Sequence, residues 1–198
     1  MTKAADLADL RLDADGFNFR GDHYLFSDIA HIRFARMNVT TYMVPVKLGT
    51  EGSACLLLEL RSGEQIKLVE KPGWFLTSNQ TRLNGIVDLF SYLAQATFKS
   101  RLADYLSAAE QRGYFVYSGY KFYPTRKVIA SEGREFTSEN TDFMQAYNYI
   151  ELRPKNYGVL HRLKRELSWS SKITAVDTLT DTDVIFAILD HFYDLRWA

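Results

Sequence analysis

At 198 residues the chain has room for one large domain or two small ones. With 46% hydrophobic and 14% aromatic residues against 24% charged it has core material throughout, which excludes extended disorder. Lys and Arg number 24, as do Asp and Glu, so no global basic field draws nucleic acid or anionic membrane by counterion release, and such binding needs a local patch.

The N-terminal MTKAADLADLRLDADG has one lysine, four aspartates (Asp6, Asp9, Asp13, Asp15) and no apolar h-region, so no signal peptide is expected. No window approaches a transmembrane span, and the chain reads as soluble or at most peripheral. Cys55 is the single cysteine. It excludes an internal disulfide and a cysteine-based zinc site, and within ACLLLEL it reads as a small buried thiol suited to a reducing cytoplasm.

From Leu10, LRLDADGFNFRG alternates apolar and polar around the turn former Asp15-Gly16, which predicts a hairpin. DIAHIRFARM predicts a further strand. MNVTTYMVPVKLG predicts another, with Pro45 marking an edge or bulge. SACLLLELRSGEQIKLVE is the clearest hairpin, turning at Arg61-Ser62-Gly63-Glu64.

After KPGWFLTSN the period changes. Ile86, Leu89, Phe90, Leu93, Ala96, Phe98, Leu102, Tyr105 and Leu106 follow i, i+3, i+4 spacing, predicting a long amphipathic helix stopped at Gly113 and open to a break near Phe98 to Ser100.

GYFVYSGYKFYP, from Gly113, then alternates around Gly119, TRKVIASEGREFTSEN turns at Glu132-Gly133, and MQAYNYIELRP is another strand. The crowded aromatic rings of the first of these read as core and interdomain packing in preference to a ligand-stacking surface. NYGVLHRLKRELSWSS predicts a short helix and a strand. In DTLTDTDVIFAILDHFYDLRWA, Thr180 or Asp181 caps a helix whose apolar face is Val184, Ile185, Ile188, Leu189, Phe192 and Leu195.

The order strands, helix, strands, helix suggests a repeat. At one constant offset Ile86 matches Ile185, Leu89 matches Ile188 and Leu93 matches Phe192. The expected fold class is α+β, with two strand-rich antiparallel units, 1–112 and 113–198, each closed by its C-terminal amphipathic helix. In element order each half resembles the pleckstrin-homology-like fold. Trp197, near the end of the last helix, is similar to the helix tryptophan of those domains, and Phe98 stands there in the first half. The resemblance implies a binding module for lipid, peptide or assembly. The first hairpin, GFNFRGDHY, departs from the phosphoinositide-binding pattern, having Arg20 beside Asp22 and no basic cluster.

The basic candidate site is Arg153, Lys155, His161, Arg162, Lys164, Arg165 and Lys172, interleaved with Tyr157 and Trp169 and joined in the same half by Lys121, Arg126 and Lys127. It suits a phosphoinositide headgroup, an acidic peptide or single-stranded nucleic acid. The plainer reading, a solvated face with Glu166 among the cations, is the commoner case. The last helix gathers Asp177, Asp181, Asp183, Asp190 and Asp194, an acidic face that could pair with the basic segment within one molecule or between copies of a homo-oligomer.

Asp22, His23, Asp28 and His31 could meet across a hairpin as a catalytic or metal site, although chance placement is the commoner outcome. There is no HExxH, GxSxG, Walker loop or GxGxxG, and no cofactor is expected. The leading expectation is a non-enzymatic binding or scaffold module in the cytoplasm with a protein partner. It includes an edge such as Asn38 to Leu48 open to strand addition.

Overall fold

A computed structural model describes residues 2–5, 7–43, 46–71, 80–145, 149–155, 175–177 and 179–193. The protein is mixed α+β, with antiparallel sheets and, among the described residues, two α-helices. It divides into two compact units, Met1–Arg101 and Leu102–Ala198, and the division falls within the first helix.

In the first unit β2 (Leu10–Leu12), β3 (Gly16–Phe19) and β4 (Asp22–Leu25) form a three-stranded antiparallel meander. The reason for glycine at position 16 is not the turn that the sequence suggested. Gly16 opens β3 opposite Leu25, and a Cβ there would lie 2.1 Å from the Tyr24 carbonyl oxygen. The turn itself is Asp13 to Asp15, closed by the Asp13 amide donating to the Gly16 carbonyl at 2.9 Å.

A four-stranded sheet has the order β1-β7-β6-β5, with β1 at Thr2–Ala5, β5 at Ile29–Met43, β6 at Val46–Leu60 and β7 at Gln65–Glu70. All its pairs are antiparallel except β1 with β7, which is parallel. The sequence divided β5 and β6 into three strands. They are two strands of 15 residues each, because no breaker interrupts Ile29 to Met43. Pro45 lies outside the described residues, and a register shift falls between Thr41 and Tyr42. The β6–β7 turn is where the sequence placed it, with Gly63 at φ 83°.

Alternation decides which face is buried. Ile32 and Phe34 on β5, Leu56, Leu58 and Leu60 on β6, and Ile66 and Leu68 on β7 join Phe17 and Phe19 in one core. Cys55 has the opposite parity. It is half-buried on the other face, between Ala35 and Val69 in register, which corrects the expected buried thiol.

The helix α1 (Gln80–Arg112) adds Leu83, Ile86, Leu89 and Leu93 to that core, and the Phe90 ring stacks on Phe34 at 4.3 Å. It runs unbroken through Phe98 to Ser100. The 3.6-residue period carries the buried stripe from Leu93 and Ala94 to Thr97 and Arg101, leaving Ala96 exposed and Phe98 half-buried. Arg101 is fully buried, and the helix itself supplies acceptors: Nε donates to Thr97 Oγ1 at 2.9 Å and Nη2 to the Ala94 carbonyl at 2.9 Å. Thr97 in turn donates to the Leu93 carbonyl at 2.7 Å.

In the second unit β8 (Phe115–Tyr117), β9 (Tyr120–Tyr123), β10 (Val128–Ser131) and β11 (Arg134–Phe136) form a four-stranded meander. Ser118-Gly119 and Glu132-Gly133, like Arg20-Gly21 in the first unit, have positive φ at both central residues, as a tight hairpin following the right-handed strand twist requires. MQAYNYIELRP was expected to be one strand. The structure has β12 (Thr141–Gln145) and β13 (Tyr149–Pro154) paired antiparallel, Phe143 opposite Leu152, with β14 (Ala175–Asp177) on β13. The predicted helix and strand of 156–171 lie outside the described residues.

The last helix, α2 (Thr182–Phe192), buries Val184, Ile185, Ile188 and Leu189 as the sequence predicted. Asp181 takes the N-cap place, but its side chain makes no capping bond. Its backbone is left-handed (φ 46°) and its carboxylate accepts from Tyr105 instead.

Candidate functional site

Of the seven residues of the basic candidate site, Arg153 and Lys155 are described, while His161, Arg162, Lys164, Arg165 and Lys172 lie outside the described residues. Both described cations face partners of their own fold. Arg153 Nη2 donates to Glu151 Oε2 at 2.8 Å, two positions back on the same face of β13, and this bond, against the opposing effect of burial, raises the guanidinium pKa. Lys155 Nζ donates to the Ser138 carbonyl, and its amide donates to the Asn140 carbonyl at 2.8 Å. Among the described residues Arg153 Nε is buried with no hydrogen-bond partner.

The aspartates expected to share one helical face do not. Asp177 belongs to β14, Asp181 is buried, Asp183 is half-buried, Asp190 is exposed, and Asp194 lies outside the described residues.

The quartet Asp22, His23, Asp28 and His31 does not converge around His23. Its two ring nitrogens face Asp13 at 3.7 Å and Asp15 at 3.8 Å, while Asp28 accepts from the Leu25 amide at 2.9 Å. Asp13 also accepts from the Asn18 side-chain amide. His31 stands opposite Glu59 in the β5–β6 register. Among the described residues no group of three or more His, Cys, Asp or Glu side chains is placed to hold a metal.

The aromatic stretch from Gly113 resolves by parity into two faces. Inside the second unit, Phe115 stacks on Phe122 at 5.0 Å and meets Tyr105 edge-on, and Phe122 meets Tyr193 edge-on at 6.2 Å. Val116 is 55% exposed. On its own parity Lys121 lies 5.0 Å over the Tyr114 ring and Arg126 5.2 Å over the Tyr123 ring, and Arg126 also pairs with Glu135 at 3.0 Å. These rings are already covered by the chain's own cations, which favours packing over an open stacking platform.

The strongest candidate interaction element lies in the first unit. β7 pairs with β6 only from Ala54 to Glu59, whereas β5 and β6 stay paired out to Met43 and Val46. From Met37–Ser53 outward the pair is therefore a two-stranded ribbon among the described residues. On the core-facing parity Ile32 and Phe34 are followed by Arg36, and Leu58, Leu56 and Ala54 by Gly52. Sequence reasoning marked an edge here from Pro45 and took Asn38 to Leu48 as one strand, whereas the segment is divided between β5 and β6, and the ribbon's length depended on where β7 ends.

No helix among the described residues is long and apolar enough to cross a membrane. The protein is a mixed α+β fold with antiparallel sheets. Comparison with family models, with curated proteins and with solved structures finds no match.

Proposed function

We propose that the chain is a non-enzymatic binding or scaffold module that engages a protein partner by strand addition along the β5–β6 ribbon. The observation that carries this is the continuation of β5 and β6 beyond the end of β7, where β5 ends the sheet order. An edge strand offers a row of backbone donors and acceptors, and a two-stranded ribbon is marginal in water until it gains a further strand or a covering surface.

The pleckstrin-homology-like reading belongs to the same proposal. Its support is that each unit has seven described strands followed by a helix, and that in the second a four-stranded meander precedes a three-stranded one. The parallel β1–β7 pair departs from an all-antiparallel plan. Anionic lipid or nucleic acid is the less favoured partner, because Arg153 and Lys155 are engaged by Glu151 and Ser138.

The test is hydrogen exchange over Met37–Met43 in the full chain, diluted until it sediments as a monomer, without and with an extended peptide copying residues 37–43. Fast exchange of the amides that alternate away from β6, slowed by the peptide, supports strand addition. Amides already protected in the dilute monomer would overturn it, since the edge would then be covered from within the chain.

A further inference from the structure

We draw no further inference here: the strongest candidate, the outer-face patch of β8 and β9 where Lys121 and Arg126 lie over the Tyr114 and Tyr123 rings beside the exposed Val116, carries none, because nothing in the structure shows what covers it.

Discussion

Tyr105 donates its phenolic hydrogen to Asp181 Oδ2 at 2.9 Å, and both residues are buried. Within the second unit this bond ties the C-terminal end of α1 to the residue that opens α2. A second tie runs beside it, from the Tyr117 hydroxyl to the Thr180 carbonyl. Tyr105→Phe keeps the ring against Phe115 and removes the donor, so it isolates the bond from the packing. The expected cost is about 1–3 kcal/mol, the penalty of a buried acceptor losing a donor. Urea unfolding followed at the aromatic signals of the second unit measures it, and an unchanged midpoint would show the bond to be dispensable.

Thr97→Val should destabilise the chain, although helix periodicity alone would favour an apolar residue on the buried stripe. The substitution removes the acceptor of Arg101 Nε and leaves a buried guanidinium bond unmade. The expected loss is about 1–3 kcal/mol, with Thr97→Ser recovering most of it. Equilibrium denaturation of the three proteins decides, and a Val variant as stable as the wild type would contradict the role given to Thr97.

Two glycines separate two physical costs. Gly16→Ala drives a methyl group into the Tyr24 carbonyl and should cost about 3 kcal/mol by overpacking a β3–β4 pair. At Gly63 nothing lies within 4 Å of an added Cβ, so Gly63→Ala meets only the positive φ, a cost of about 1–2 kcal/mol. Thermal melts that rank the two in the reverse order would reject this account.

Tyr193 gives the stability an alkaline limb. Burial raises its pKa above the ordinary 10.0, with a backbone hydrogen bond opposing. The folded state therefore keeps a proton that the unfolded chain releases. Its contribution is complete below about pH 10 and is lost as pH rises from there towards the folded-state pKa, because the unfolded state then binds fewer protons. Tyr193→Phe should flatten that limb between pH 9 and 11 in urea-unfolding midpoints compared with the wild type. Parallel limbs in the two proteins would assign the alkaline loss to other groups.

Much of the local structure was legible because its causes are local. Ser118-Gly119 and Glu132-Gly133 turn because glycine takes a positive φ at no steric cost, and the i, i+3, i+4 run through Ile86, Leu89 and Leu93 is a helix face at any position in a fold. Arg20-Gly21 turns the first hairpin, GFNFRGDHY, in the same way, although β4 (DHYL) has little apolar alternation of its own.

The sequence by itself determined the α+β class, most of the turns, the long helix and the apolar face of α2, since each follows from periodicity and backbone preference over a few residues. Only the tertiary structure decided what those elements meet. The end of β7 set the length of the ribbon, strand register put Cys55 on the face away from the core, and the approach of Tyr24 fixed the need for Gly16. The helical period laid Thr97 and Arg101 along the buried stripe, and the meeting of α1 and α2 turned Asp181 from a cap into the acceptor of Tyr105. Each of these depends on residues distant in the chain arriving within a few ångströms, and that information resides in no single segment.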